Sequence, residues 1–383
     1  MRIDQVKVHQ ITLPFIGEFS HSRRKGADAE NIVVEVIAGH GDLAGYGEGA
    51  PRPYVTGESQ ESAASHARAL VGLKGFPWEL SDPSEIWRLI DENSLGKENN
   101  TATCAVEMAL LDALGKSQGR SVTDYFSKSF YTNRITYGAQ IPIAHRERVE
   151  EICALLKRLR IDKIRIKMGT DFERNQETMD LVRRILGKGC DLRVDVNGSW
   201  DRAMARRHTN LMINSKVKVV EEPMMRGDPG LRDFSRRMRE HGIALMADES
   251  ACCLAEASEI VREGCYGMIN VRLSKCGGFR NSLKIISFLR EEGLSFQIGC
   301  QLGESGILSA AGRALGLLCR DAVYFDGSYD ALLLAENITR EHVGFGVGGA
   351  AGPLVGPGLG ITVNAENLNL LSNRSAVITI KRP

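Results

Sequence analysis

The sequence predicts an α/β protein in two unequal parts: a mixed α+β region over the first third, then a closed (β/α)8 barrel. Three observations carry this. From about residue 135, short apolar runs alternate with amphipathic helical stretches, giving eight strand candidates in a row. The first third lacks that alternation and places its strand-like runs before its helical ones. Finally, 383 residues of which 43% are hydrophobic suffice for a barrel of about 250 residues and a second, smaller unit. The division falls at residues 1–130, 131–355 and 356–383, the last a segment expected to return to the first unit.

In order along the chain, "IDQVKVHQITLPF" and "NIVVEVIAG" alternate as strands do, around a polar, basic stretch, "GEFSHSRRKGADAE", that reads as a loop. A turn at "GHGD" leads into "AGYGEGAPRPYVTGE", whose Gly and Pro content also reads as loop. Helical periodicity follows in "ESAASHARALVGL", "PSEIWRLIDENSL" and "NTATCAVEMALLDALGKSQG", the last closed by a C-terminal glycine. The barrel strands are then "ITYGAQIPI", "KIRIKMG", "LRVDVNG", "VKVVEEP", "IALMADES", "GMINVRLSK", "LSFQIG" and "DAVYFDG", with helices such as "RERVEEICALLKRL" and "FERNQETMDLVRRILG" between them. Gly344, Gly346 and Gly349 match a dinucleotide fingerprint in spacing only. No helix begins there and Pro353 and Pro357 follow, so nucleotide binding is not expected.

Composition narrows the function. Basic and acidic residues balance at 49 and 48, for a net charge of +1, so neither nucleic acid nor a membrane surface is expected as partner. Nine cysteines at irregular spacing, without a CxxC pair, point to reduced thiols and a cytoplasmic location. The N-terminal stretch alternates like a strand rather than carrying the apolar core of a signal peptide, and no run is long enough to span a membrane.

The barrel reading makes one set of residues stand out, because active sites in this architecture sit at the C-terminal ends of the strands. The second strand ends at Lys167, with Arg165 two residues earlier on the same face. The third ends at Asp195 and Asn197, the fourth at Glu221 and Glu222, the fifth at Asp248 and Glu249, and the sixth at Lys275. These positions recur at intervals of roughly 26–28 residues, about one strand–helix unit each. Any one acid alone reads equally well as a helix N-cap or a strand-end ion pair. Three in register, Asp195, Glu221 and Asp248, would repel one another without a counter-ion, and oxygen-only ligands with room for water and substrate suit Mg2+, with Mn2+ as an alternative. Lys167 and Lys275 come from strands on opposite sides of the three acids, so a carboxylate substrate would have a lysine on each face of its α-carbon. Burial and neighbouring positive charge, part of it from Arg165, lower a lysine's pKa toward the range of a general base.

With these residues in view, the whole chain resembles the enolase superfamily, in particular its muconate-lactonizing-enzyme subgroup (mandelate racemase/muconate lactonizing enzyme-like). The pattern is Lys-x-Lys on the second barrel strand, Asp, Glu and Asp on the next three, and Lys followed by glycines on the sixth. The resemblance implies a modified (β/α)8 TIM barrel under an N-terminal α+β capping domain. It implies Asp195, Glu221 and Asp248 as metal ligands, Lys167 and Lys275 as the acid/base pair, and Asn197 and Glu249 in support. The segment "GCQLGESGILSAAGRA" resembles the seventh-strand segment that carries a glutamate, here Glu304. "GYGEGAPRPYVTGE", with Thr56, resembles the capping loop that closes over substrate. Arg165 stands where the family has the first lysine; it keeps the charge but cannot be deprotonated.

The shared chemistry so implied is Mg-dependent abstraction of a proton α to a carboxylate through an enediolate. Both lysines are present, as racemases and epimerases of N-acyl amino acids or dipeptides require, and that is the favoured reaction. Cycloisomerisation of muconate and the syn-dehydration of o-succinylbenzoate synthase need one lysine and remain open, as does a non-catalytic descendant that binds metal and carboxylate. The basic stretch Arg23, Arg24, Lys25 and, on the eighth strand, Asp326 and Asp330 are candidates for contacting the small-molecule substrate. The Asp-x-Asp spacing of dipeptide epimerases is not reproduced there. Members of the superfamily often form homo-oligomers, and the same is an expectation here.

Overall fold

The computed structural model describes residues 1–21, 24–94 and 96–383, and among these the side chains of all but residues 18–21, 24, 25 and 374. The chain opens with a long hairpin, β1 (Ile3–His21) and β2 (Arg24–Ala38), followed by β3 (Leu43–Gly49). Alternation along β1 puts Val6, Val8, Ile11 and Leu13 into the core with Ile32, Val34 and Val36 of β2. Of two stretches expected as loops, part of each is strand instead. The described residues of "GEFSHSRRKGADAE" continue the hairpin, Phe19 pairing with Gly26 after an irregularity that follows Pro14. The glycine-rich run after residue 43 is β3 itself, paired with β2 over its whole length.

The reason for those glycines is packing. Helices α1 (Gln60–Val71), α2 (Pro83–Asn93) and α3 (Asn100–Gln118) follow, and α3 lies directly on β3. A Cβ at Gly47 would sit 2.1 Å from the Ala105 carbonyl oxygen, and those at Gly45 and Gly49 would meet the same helix. The strand therefore lacks side chains on one face so that the helix backbone can approach. Helix α3 is buried from Asn100 to Gly115 because its other side packs on the barrel.

The barrel begins after β4 (Ile135–Thr136) with β5 (Ala139–Ile141), then α4 (Arg146–Arg158), β6 (Lys163–Lys167), α5 (Phe172–Leu186), β7 (Asp191–Asp195) and α6 (Arg202–Asn214). It continues through β8 (Val219–Glu221), α7 (Leu231–Glu240), β9 (Ala244–Ala247), α8 (Leu254–Glu263), β10 (Met268–Arg272), α9 (Leu273–Cys276) and α10 (Gly278–Glu291). The last units are β11 (Ser295–Gly299), α11 (Gly306–Leu317), β12 (Tyr324–Phe325) and α12 (Asp330–Leu333), so the eighth helix is a single turn. Strands β5 to β12 form one eight-stranded sheet in sequence order, its neighbours parallel. Gly138 N–H donates to the Phe325 carbonyl at 2.8 Å, beside a parallel bridge from Tyr137 to Phe325, and so joins the first strand to the last.

Inside the barrel, Val219, Met246, Met268 and Tyr324 form a small apolar plug separate from the main core. Above it the inward positions are polar: Gln140, Arg165, Arg193, Glu221, Asn270, Arg272 and Gln297. After the barrel, β13 (Ala350–Ala351) pairs with β4, α13 (Ala365–Leu371) follows, and β14 (Ile378–Lys381) adds to the edge of β1. The Gly344–Gly349 region holds a short 3-10 turn and opens no helix of the αβ type. Among the described residues no helix is long and apolar enough to cross a membrane.

Candidate active site

The parallel register sets the first three acids side by side. Lys167 pairs with Asp195 across β6 and β7, Asp195 with Glu221 across β7 and β8, and Glu221 with Met246 on β9, two residues before Asp248. All three acids are fully buried. A buried carboxylate needs partners, and each of these has found a cation. Lys167 Nζ donates to Asp195 Oδ2 at 2.5 Å and to Asn197 Oδ1 at 2.9 Å. Arg165 donates to Glu221 Oε2 at 2.9 Å, reaches Gln140 at 2.7 Å and lies 3.3 Å from Asp326. Arg272 binds Asp248 and Glu221, with Gln301 at 3.1 Å. Lys275, wholly buried, donates to the Asp248 carbonyl at 2.6 Å, to Asp248 Oδ1 at 3.0 Å and to the Asn270 carbonyl at 2.6 Å.

The electrostatics follow from these pairings. Burial alone would raise the Glu221 pKa, but Arg165, Arg272 and Lys167 outweigh it and hold that carboxyl at about 2. Burial and the charge of Glu249 push Glu222 the other way, to about 8; its oxygens accept from Asp248 N–H at 2.7 Å and Ser250 N–H at 2.9 Å, bracing the Asp248 turn. Burial likewise pushes Glu304 up to about 8, with the Gln301 N–H as a donor at 2.6 Å. Glu249 is raised by burial and by Asp195, and it receives the Asn197 amide at 2.8 Å.

A cavity of about 640 Å³ opens above this layer. Lys167, Arg165, Asn197, Glu249, Arg272 and Glu304 line it; Lys275 and the three acids lie behind its wall. Phe15 and Ile16 from β1 and Tyr54 from the 52–57 turn cover it from the first domain. Thr56 is buried in that turn, its N–H bonded to the Arg52 carbonyl at 3.1 Å, and Tyr54 is the residue of "PYVTGE" that faces the cavity. Asp326 is buried and held by two guanidinium groups, Arg193 at 2.8 Å and Arg165 at 3.3 Å, which together keep its carboxyl ionised despite burial. The side chains of Arg24 and Lys25 and the whole of Arg23 lie outside the described residues.

The donor set suits a hard divalent cation: three buried carboxylates on consecutive strands, with Glu249 Oε2 beside them buried and without a hydrogen-bond donor. Among the described residues the acids are not drawn together into a three-ligand cluster, because each turns toward its cation. Holding a metal there requires Arg165 and Arg272 to give up contacts with Glu221 and Asp248. Sequence reasoning passed over Arg193, Arg272, Asn270, Gln140 and Asn100. The first four share the inward parity of the strand-end residues, which is a readable signal. Asn100 has none: it comes from α3, over 150 residues away, and donates to the Lys275 carbonyl at 2.6 Å and the Cys252 carbonyl at 2.8 Å.

Residues 147–367 match the family described as enolase C-terminal domain-like, and residues 16–126 match the mandelate racemase/muconate lactonizing enzyme N-terminal domain. The chain belongs to the mandelate racemase/muconate lactonizing enzyme family of the enolase superfamily. Within that family it is 29% identical over 323 residues to a hydrophobic dipeptide epimerase of Enterococcus faecalis, covering 81% of this chain and 86% of that one. The crystal structure of N-succinyl Arg/Lys racemase from Bacillus cereus superposes with a TM-score of 0.87 at 23% identity, over 100% of both chains. The E. faecalis dipeptide epimerase, crystallised with Mg and the dipeptide L-Leu-L-Tyr, superposes with a TM-score of 0.81 at 24% identity, over 94% of this chain and 100% of that one. These likenesses bear out the modified barrel with its α+β cap, and family members include structures that hold Mg.

Proposed function

We infer that this protein is a Mg2+-dependent isomerase that removes the proton α to a carboxylate and returns it, racemising or epimerising an N-acyl amino acid or a dipeptide. One observation supports it most: Lys167 ends the second strand and Lys275, expected at the end of the sixth, stands instead in the short helix α9 directly after it, on either side of the three strands whose ends present Asp195, Glu221 and Asp248. Those three acids would hold the ion, which supplies positive charge against the negative charge that develops on the substrate carboxylate. Lys167 reaches the cavity wall, aimed by Asp195 and Asn197, and carries the proton on one face of the α-carbon. Lys275 carries it on the other. Tyr54, Phe15 and Ile16 exclude water above them, which strengthens every charge interaction inside.

A second reading rests on Lys275. Its ammonium donates to three oxygens and stands behind the cavity wall, a geometry that suits an electrostatic stabiliser in one-base cycloisomerisation or syn-dehydration. Proton exchange in D2O separates the two. With an N-acyl amino acid or dipeptide, Lys167→Ala should exchange the α-proton of one enantiomer and Lys275→Ala only that of the other, and neither should racemise. Under the one-base reading, one variant exchanges nothing and the other is merely slow with both. Wild-type enzyme that exchanges neither enantiomer across a panel of carboxylates overturns α-proton abstraction.

A further inference from the structure

The cavity extends well beyond the chemistry. Because α12 is one turn long, no eighth helix fills the space beside α4, and the cavity continues into it. One wall is a shoulder of α4: Ile152, Leu155 and Leu159, at spacings that align along one side of a helix and span about 10 Å of its length. The facing wall is Leu332, Leu333 and Phe345. Leu332 is 53% exposed, and Ile16, at the rim, is 62% exposed. Apolar side chains left open around one continuous cavity mark a place for an apolar ligand group.

Several polar groups between this branch and Lys167 are already engaged. Arg165 holds Gln140, Tyr329 donates to the Gly138 carbonyl at 2.8 Å, and Arg313 donates to Ser328 at 3.1 Å. Asp326, the acid on the eighth strand nearest the site, is held between Arg193 and Arg165. A substrate ammonium entering at Asp326 meets guanidinium groups first; Asp330, which also lines the cavity, accepts the Asn337 amide at 2.8 Å, and burial raises its pKa, which weakens it as a counter-charge. A neutral amide nitrogen avoids that penalty.

We propose that the substrate is an amino acid N-acylated by a long apolar chain, and that the chain lies in the branch between α4 and residues 329–345. This rests on the α-proton reading above and adds the class of substrate. The stripe's length accommodates roughly eight extended methylenes.

Calorimetric titration of the Mg2+-supplemented full-length protein with N-acylglycines from acetyl to decanoyl tests it without requiring turnover. The dissociation constant should fall about fourfold for each added methylene, at least about a hundredfold in all, and level off near eight carbons. Leu155→Asp and Leu332→Glu, from opposite walls, should each flatten that dependence; Leu332 is exposed enough for its variant to fold. A total gain below a hundredfold, or an equal gain in wild type and both variants, overturns the proposal. So does a steeper gain when the same carbons are placed on the α-carbon, as in N-acetyl-2-aminodecanoate. Deuterium exchange into N-acetylalanine, run in parallel, reports on the α-proton reading alone. Affinity that climbs with chain length while nothing exchanges overturns that reading and upholds the branch as the acyl-chain binding site.

Discussion

Arg165 joins four elements of the barrel through one side chain: Glu221 on β8, Gln140 on β5, Asp326 after β12, and its own strand β6. A lysine carries a single compact charge and cannot span those three partners. Removing the guanidinium leaves two buried carboxylates, Glu221 and Asp326, each short of a cation. Arg165→Met should therefore destabilise the fold by about 3–5 kcal/mol, measured by urea unfolding. The metal prediction belongs to the same scale. Mg2+ titration should show one site, and Glu221→Ala should weaken it by more than about 100-fold, beyond what loss of a merely supporting group costs. Unchanged affinity in that variant would remove the carboxylate triad as the metal site. These acids were legible because strand-end position and chemistry coincide. Asp326 and Thr56 were legible as polar residues near the mouth, but their partners were not: Arg193 comes from five strands earlier in the sheet, and the orientation of the 52–57 turn depends on Arg52.

Among the elements, β3 shows how sequence punctuation misleads. Alternate glycines at 45, 47 and 49 signal loop in a local reading, yet they form a strand pressed against α3. Gly47→Val should prevent folding or lower the melting temperature severely, because even a Cβ lands 2.1 Å from the Ala105 oxygen. At the other side of α3, Glu107 accepts the Arg280 N–H at 2.9 Å and caps the first turn of α10. It packs against Gly278, where a Cβ would lie 2.0 Å from the Glu107 Oε2 and where a φ of +91 also favours glycine. Burial raises the Glu107 pKa from 4.5 to about 8. Its sign is the reverse of a salt-bridged acid: between pH 4.5 and 8 the folded state holds a proton that the unfolded state has lost, so stability falls as pH rises through that window. Glu107→Gln, which needs no proton, should flatten that fall, by up to ~1.4 kcal/mol per pH unit. An unaltered pH dependence of chemical unfolding would show that Glu107 is ionised in the fold.

Across the whole molecule, the first domain grips the barrel by placing buried carboxylates at barrel helix starts. Glu48 of β3 accepts from Ser305 N–H at 2.9 Å, Ser305 Oγ at 2.6 Å and Leu308 N–H at 3.0 Å, at the beginning of α11. Arg52, fully buried, donates to Asn31 Oδ1 at 3.0 Å and also reaches the Leu302 carbonyl. The loop so held carries Gln301 and Glu304 to the cavity. Glu48→Ala should cost at least about 2 kcal/mol of stability, from the lost cap and the donors left unpaired. It should also raise KM, since the loop that lines the substrate space loses its tether. Calorimetry and steady-state kinetics together check this; a loss of stability with unchanged KM would make the contact purely structural.

What the sequence by itself determined is periodic or positional. Eight strand–helix repeats specify the barrel, because parallel strands need crossovers and successive units follow the chain. Acids and lysines at or just after the strand ends then gather at one end of the barrel. The tertiary structure alone decided what lies between distant segments: which cation takes which acid, Asn100 beneath Lys275, α3 against the glycines of β3, and the apolar branch beside α4. The physical reason is range. Backbone period and strand register act over a few residues and leave their mark in local pattern. Close approach, ion pairing and an unfilled helix position depend on residues tens to hundreds apart, and no local pattern records them.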